Sequence, residues 1–436
     1  MCIRDSHEHD PIKTVFVANS LSPYRKVNYE SPMNSRAFAI EVVQKLQQAG
    51  YQALWAGGCV RDQLLGLTPK DYDVATAATP DQVREVFGHK RTLAIGASFG
   101  VITVLGPRSA APIEVATFRR DGGYSDGRRP DAVEYTDAKE DALRRDFTIN
   151  GMFYDPAADQ VIDFVGGQED LAAKRIRAIG VADQRIEEDK LRMLRGVRFA
   201  AKHRFEIEDS TLQAIQRRAT EISVVSKERI GTEMQRMLAD PNRATAVKLL
   251  RQTKLLAEIV PQGQSLYASE DQWQQTLMQL EALQTTDCCA AATILLKPIL
   301  ESTGVEVIMK CWKLSNDQCK AIEFACKQQS VLTGSPNKPW SKVQPLLLSP
   351  HVETAIAVVE ACGGGECAKF LRDRLEWHRE DLDPEPLLNG QDLIQAGISP
   401  GPAFKAMLAE CRAKQLDGQL KTKEQALALV LKTFND

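Results

Sequence analysis

The sequence predicts an α/β head followed by an all-α remainder, on three observations. Short apolar and β-branched runs (Tyr51 to Ala56, Val101 to Leu105, Ile113 to Thr117, Val161 to Val165) fall in the first part of the chain, bounded by turn residues. From Glu169 onward almost every stretch carries helical periodicity. Between the first apolar run and a helix-like stretch (Val60 to Leu65) stands Gly57-Gly58, the composition of a strand-to-helix turn.

Bulk properties narrow the class. The 436 residues suffice for two to four domains, and 43% hydrophobic with 26% charged residues is ordinary for a soluble globular protein. A formal net charge of −3 means that a nucleic-acid partner must be held by local basic patches. No apolar run approaches a membrane span. Met1 to Pro32 is mixed and polar, without the apolar core of a secretory leader. The ten cysteines include no Cys-x-x-Cys and no zinc-ligand spacing, so free buried thiols in a reducing cytoplasm are expected.

The elements follow in order. Ser35 to Ala49 has helical spacing (Phe38, Ile40, Val43, Leu46), ended by Gly50. Glycines at the Gly57-Gly58 turn let backbone N–H groups approach a phosphate, and a helix N-terminus favours an anion. Arg61 falls in the first helical turn, within reach of the same anion. Asp71-Tyr72-Asp73, followed by Val74 and Ala75, reads as a strand. Residues two apart share a face, so both carboxylates point one way and Tyr72 the other. Two convergent carboxylates suit a hard cation that also binds phosphate oxygens, usually Mg²⁺. Singly, a Gly-Gly is an ordinary turn and an Asp-x-Asp an ordinary strand end. Together, with an arginine between them, they fit a phosphate site.

Thr79 to Phe87 reads as a helix with a threonine cap and Pro80 at its first position. Val101 to Leu105 and Ile113 to Thr117 read as paired strands. Glu114, in the second, is a candidate third metal ligand or orienter, or an edge-strand charge. Arg119 to Pro130, with three glycines and mixed charges, reads as a mobile polar loop, either a lid or a solvated connection. Arg144-Arg145-Asp146 precedes an apolar run and is either a helix cap or a grip on triphosphate and ribose, since Arg gives fork-shaped donors and Asp accepts from O–H. Gly166-Gly167 reads as a hinge. In Glu188 to Phe199 and beyond, Leu191, Leu194, Val197 and Ala201 form a buried stripe. Asp189, Arg192, Arg195 and Arg198 recur every third residue on the other side. This is either a salt-bridged solvated face or a reader of bases and phosphates. An acceptor beside a donor fork matches cytosine and adenine and rejects uracil and guanine.

Taken together, these residues resemble the tRNA nucleotidyltransferase and bacterial poly(A) polymerase family, in its bacterial and eukaryotic branch. Gly57-Gly58-Cys59-Val60-Arg61-Asp62 with Asp71-Tyr72-Asp73 looks like the catalytic motif, and Arg144 to Asn150 like the ribose-binding motif. Asp163 to Gly167 with Asp170-Leu171 looks like the head-to-neck hinge. Glu188-Asp189 with Arg192 looks like the amino-acid template for the incoming base, and Glu228-Arg229-Ile230 with Glu233 like a later neck motif. The resemblance implies a polymerase β-like α/β nucleotidyltransferase head over 35–167, and the mixed, polar residues 1–34 before it are expected to be disordered. A helical neck with a nucleobase-selecting helix (168–258), a helical body (259–345) and a helical RNA-binding tail (346–436) would follow.

The resemblance further implies a cytoplasmic enzyme that adds CCA to tRNA 3′ ends from CTP and ATP. Asp71 and Asp73 would hold two Mg²⁺ ions for an in-line phosphoryl transfer, with Glu114 beside them. Gly57, Gly58, Arg61 and Arg145 would contact triphosphate, and Asp146 the ribose. Asp189 and Arg192 would select the base, with Arg195 and Arg198 supporting the nucleotide. The loop around Asp126-Gly127-Arg128-Arg129 is shortened in CC-only relatives, and Leu93 to Val101 lacks the Gly-Arg-Arg-Phe signature of gammaproteobacterial poly(A) polymerases. A-only addition or poly(A) synthesis shares the remaining motifs. A catalytically inactive RNA-binding protein is a third reading, against which the intact Asp71, Asp73 and Arg145 argue. Trp273 to Leu277 and Ala291 to Pro298 resemble a phosphohydrolase-type body whose metal ligands are replaced by Gln275, Lys297-Pro298 and Gln328-Gln329. In the tail, Lys405, Arg412, Lys414, Lys421 and Lys423 are either RNA-phosphate contacts or a solvated face.

Overall fold

The computed structural model describes residues 34–122, 133–260, 262–401 and 403–435. The expected disorder over 1–34 therefore lies outside the described residues except for Asn34, and the expectation for Asp126-Gly127-Arg128-Arg129 lies outside them altogether.

Helix α1 (Ser35–Gln48) starts where the Asn34 side chain accepts the Ala37 N–H at 2.9 Å. Its stripe Phe38, Val42, Val43 and Leu46 is fully buried. Strand β1 (Ala53–Ala56) is buried throughout, which its unbroken apolar run reflects. Helix α2 (Gly58–Leu64) follows a Gly57 at φ +74°, a backbone open to glycine. Then come β2 (Asp73–Thr76) and α3 (Pro80–Phe87), the latter opened by the foreseen Pro80 and a Thr79/Gln82 capping box. Strands β3 (Thr92–Gly96), β4 (Val101–Val104) and β5 (Ile113–Thr117) lead to a ribbon, β6 (Arg119–Asp121) with β7 (Val133–Tyr135). Helix α4 (Ala138–Leu143) and strands β8 (Phe153–Asp155) and β9 (Gln160–Ile162) complete the head.

Seven strands form one sheet in the order β3-β4-β5-β2-β1-β8-β9. Only β2 and β5 pair in parallel, with Asp73 opposite Glu114. On one face Phe38 and Leu46 pack with Trp55, Val74, Ile102 and Val115. On the other, Leu54, Ala75, Phe118 and Phe153 are closed by Ala138 and Ala142 of α4. Each fully buried large apolar side chain contributes about 1.5–3 kcal/mol.

Three features differ from the sequence reading. Strand β3 is an edge strand with Leu93, Ala94 and Ile95 exposed, so it carries no alternation to read. Strand β8 has three residues, too few for a period. Arg119 to Asp121, read as loop, is strand: its antiparallel register with β7 is reinforced by Arg120–Glu134 at 2.6 Å.

Beyond the head the chain is helical apart from a two-residue parallel bridge. Helix α5 (Gly167–Ala172) begins after Gly166, at φ +76°. Strand β10 (Arg175–Ile176) precedes α6 (Ala182–Glu188) and α7 (Arg192–His203), and pairs with β11 (Glu206–Ile207). Helices α8 (Asp209–Arg218), α9 (Lys227–Ala239), α10 (Arg243–Gln252) and α11 (Leu255–Ile259) come next. Helices α12 (Glu270–Ala282), α13 (Cys288–Thr303), α14 (Glu306–Trp312) and α15 (Asn316–Thr333) lead to further helices between Trp340–Leu347 and Lys423–Asn435. The buried Arg243 donates to the Leu283 and Thr285 carbonyls at 2.6 Å, tying α10 to the segment after α12. Lys297 donates to Gln329 at 2.8 Å, so two of the positions that depart from the phosphohydrolase pattern bond each other. Among the described residues no helix is long and apolar enough to cross a membrane, and the nine cysteines are all free.

The stretch around Asp189 needs correction. Leu191, Leu194, Val197 and Ala201 are buried as read. Asp189, however, is not on the same helix as the arginines: it is extended (φ −146°, ψ 105°) between α6 and α7. Its carboxylate accepts the Leu191 N–H at 3.0 Å and its carbonyl the Arg192 N–H, so it opens α7 instead of continuing α6.

Gly231 of α9 faces the Trp312 carbonyl of α14, where an added Cβ would stand 1.9 Å from the oxygen. Gly→Ala inside a helix normally gains up to about 1 kcal/mol. Here the clash prevails, and Gly231→Ala is predicted to lower unfolding stability by about 1–3 kcal/mol in urea titration.

Candidate nucleotide-binding site

One cleft of about 450 Å³ gathers most of the predicted residues. Gly57, Gly58, Arg61, Asp73, Arg145, Asp146, Asp189, Arg192 and Arg195 line it, together with Arg144, Asn150 and Phe199. Asp71, Glu114 and Arg198 do not.

The acidic side is built on β2. Asp71 and Asp73 are exposed and Tyr72 is buried, the alternation foreseen, although the strand itself starts at Asp73. Glu114 stands opposite Asp73 because β2 and β5 pair in register. The Asp73 carboxyl is pushed up to about 6. Crowding by the cleft wall is the main cause, Glu114 and Asp71 add to it, and Arg145 opposes it. The side chain still reaches solvent, so this desolvation comes from the cleft rather than from the core. A carboxylate held up by two like charges is suited to a cation, and its hard oxygen donors fit a divalent ion that also takes phosphate oxygens. The three carboxylates do not close into a cage: among the described residues, the group of three ligands lying within 4.8 Å of one another is Asp287, Cys288 and Cys289.

The basic side is a set of arginines, each fixed by a carboxylate. Asp141, buried on α4, accepts from Arg144 at 2.7 Å and from Arg145 at 2.9 Å. Burial would push its carboxyl up, but Arg145 and Arg144 outweigh that and hold it below the usual range. Arg145 also lies over the Phe153 ring and against Gly57, where a Cβ would come within 3.0 Å of its Nη1. Arg61 is buried, donating to Asn150 Oδ1 at 2.6 Å and to Asp62 at 2.7 Å. It therefore forms cleft wall, not the free arm that its place in the first helical turn suggested. Asp146 accepts the Phe147 N–H, the Asn150 amide and Nε–H of Arg195, whose Nη2 pairs with the same carboxylate oxygen. Burial opposes its ionisation, yet Arg195 and these bonds bring it down to about 2. Three of its acceptor positions are in use, which leaves Oδ2 with capacity for one more donor such as a ribose hydroxyl.

The third side is the break before α7. Arg229 of α9 grips Asp189 through Nη1 at 3.1 Å and Nη2 at 2.7 Å. Arg192 donates to the Arg185 and Arg144 carbonyls at 2.7 and 3.1 Å and to Glu188, which occupies three of its five N–H groups. Arg198 is turned to the buried Glu233 of α9 at 2.5 Å.

Three fixing residues had only partial sequence signals. Arg229 and Glu233 stood in the neck motif without partners, and no periodicity marks Asp141. In the tail, Arg412 is tied to Asp383 at 2.8 Å, Lys423 to Asp392 at 2.5 Å and Lys414 to Glu410 at 3.1 Å. Lys405 and Lys421 make no ion pair with any described residue.

Comparisons with known proteins match the chain over most of its length. A family model described as "Poly A polymerase head domain" matches residues 53–177. One for a "probable RNA and SrmB-binding site of polymerase A" matches 204–266, and one for "tRNA nucleotidyltransferase domain 2 putative" matches 281–431. The chain is 32% identical to the CCA-adding enzyme of Latilactobacillus sakei, over 90% of this chain and 96% of that protein. It is 32% identical to that of Enterococcus faecalis, over 89% and 94%. The crystal structure of the Bacillus stearothermophilus CCA-adding enzyme in complex with CTP superposes with a TM-score of 0.74 at 28% identity, covering 91% of this chain and 97% of that one. With this identity over nearly its whole length, and with three models of the family matched in order along it, the chain belongs to the tRNA nucleotidyltransferase and poly(A) polymerase family.

Proposed function

We propose that this protein adds CCA to tRNA 3′ ends, taking CTP and ATP without a nucleic-acid template. The observation that carries the reading is one cleft with an acidic floor beside an arginine wall and a fixed Asp189–Arg192 pair. An acidic floor alone would bind a cation, and an arginine wall alone an anion. Side by side they suit a nucleoside triphosphate that arrives with a metal. Its relatives at 32% identity carry the name CCA-adding enzyme, which favours full CCA addition over A-only or poly(A) synthesis. Free cysteines suit a reducing cytoplasm.

Asp71 and Asp73 are the residues that would hold divalent ions, Mg²⁺ by the hardness of their oxygens. A bound ion of this kind supplies Lewis-acid activation of the RNA 3′-hydroxyl and neutralises charge on the pyrophosphate. The chain's own residues do the rest. Glu114, opposite Asp73 in the strand register, adds a negative charge that favours a cation on this side of the cleft. Arg145, braced by Asp141, and the backbone at Gly57-Gly58 align the triphosphate for in-line attack. Asp146 positions Arg195 and Asn150 towards the sugar and phosphates. Asp189 keeps an acceptor and Arg192 its remaining donors for the base edge, which fits the exocyclic amine and ring acceptor of C and A. The tail cations Lys405 and Lys421 serve RNA phosphates.

The extension assay tests this reading. Three nucleotides added to end-stripped tRNA with CTP plus ATP is the expected result. Extension of CC-ended tRNA alone would make it an A-adding enzyme, and long tails on an unrelated oligonucleotide a poly(A) polymerase. Asp73→Ala is predicted to lower kcat on the order of 10³-fold with a native circular dichroism spectrum. Asp189→Ala should relax the preference for CTP and ATP while leaving metal affinity intact. Unchanged rejection of UTP and GTP would refute the base-selection role. Cation binding needs Asp73 ionised, and its carboxyl is held near 6. Mn²⁺ affinity, read by electron paramagnetic resonance, should therefore climb from pH 5 to pH 7 and then level, with Asp73→Asn removing most of the rise. Equal affinity at pH 5 and pH 7.5 would contradict it.

A further inference from the structure

Phe199 has no role in the reading so far, yet it stands among the arginines of the cleft. It is on α7, is 6% exposed, and its ring lines the cavity. Three guanidiniums lie over that ring: Arg198 at 4.2 Å, Arg61 at 5.2 Å and Arg195 at 5.3 Å from its centroid. Phe147 meets it edge-on at 6.0 Å and His203 stacks beside it at 6.5 Å, so the ring cannot turn freely. The three arginines reach it from two parts of the chain, Arg61 from α2 and the others from α7. Each also holds a different partner: Asn150, Asp146 or Glu233.

We propose that Phe199 is a positioning residue for the polyphosphate grip. It acts by holding Arg61 in the cleft wall and Arg195 towards the phosphates, and does not itself touch the substrate. Mutually repelling cations crowd one wall, and their hydrogen-bond partners Asn150, Asp146 and Glu233 are three separate groups. The negative face of the aromatic ring is the one group that meets all three, and it lets them gather without a further carboxylate, which would repel a triphosphate. It also links an arginine of the head to two of the neck, so the wall keeps its shape across the junction. The proposal rests on the nucleotidyltransferase reading above. A purely structural Phe199 would be satisfied by any apolar side chain of its size.

The test separates the two. Replacing Phe199 by 3,4,5-trifluorophenylalanine keeps the shape and the apolar packing while weakening the negative face. Binding of inorganic tripolyphosphate and of CTP is measured by titration calorimetry without turnover, beside Phe199→Leu and Phe199→Tyr. The fluorinated protein and Phe199→Leu should each bind both ligands about 10-fold more weakly, with KM raised for CTP and ATP alike and kcat little changed. Phe199→Tyr should bind close to wild type, and selection against UTP and GTP should not move in any of them. Unchanged tripolyphosphate affinity in the fluorinated protein overturns the proposal, as does loss in Phe199→Tyr equal to that in Phe199→Leu. The fluorinated variant keeps the test decisive if Phe199→Leu does not fold. A wild-type protein that binds neither ligand would instead overturn the nucleotidyltransferase reading, and this inference with it.

Discussion

The cleft depends on the ion pair between Asp146 and Arg195, which joins the end of the head's arginine motif to the neck helix α7. A buried carboxylate without a partner is costly, and so is a crowd of arginines without counter-charge. Each satisfies the other. Arg145 rests on Asp141, Arg198 on Glu233 and Asp189 on Arg229, and every one of these pairs has at least one member that is largely buried or held at a helix break. The same chemistry therefore closes the head onto the neck and sets the directions in which guanidinium N–H groups face the cavity.

Asp73 is the exception, and the exception is informative. Its nearest acidic neighbours, Glu114 and Asp71, raise its carboxyl, and only Arg145 opposes them. Electrostatics is thus left unfinished at one place in the cleft and nearly finished everywhere else. A carboxyl raised in this way fits the proposed cation site. The parallel pairing of β2 with β5 is what brings this about, since a one-residue slip along β2 would set Glu114 opposite Val74 instead.

Asp189, proposed above to read the base with Arg192, gains its rigidity in a different way. In one continuous helix, Asp189 would be a solvated side chain with several rotamers. At the break between α6 and α7 its carboxylate is held by Leu191 N–H and by two donors of Arg229. Two side chains fixed to this degree can present one hydrogen-bonding pattern, which is what selection without a template requires.

By itself, the sequence determined the fold class, the strand-to-helix turn at Gly57-Gly58, the alternation of Asp71, Tyr72 and Asp73, the capped helix at Pro80 and the buried stripe of α7. These rest on local periods and on residues whose backbone preferences act over a few positions. It also named most of the cleft residues, because the motifs that carry them are short and contiguous. It did not disclose β3 or β8, which are too exposed or too short to show a period, nor the strand at Arg119. Nor did it show which arginines face the cavity and which are wall. Arg61, Arg195 and Arg198 are alike in sequence, and Asp141 carries no motif at all. Only the tertiary structure decided that Arg61 meets Asn150, Arg195 meets Asp146 and Arg198 meets Glu233, since these partners lie 89, 49 and 35 residues away and such a bond depends on where two elements meet, not on the pattern within either.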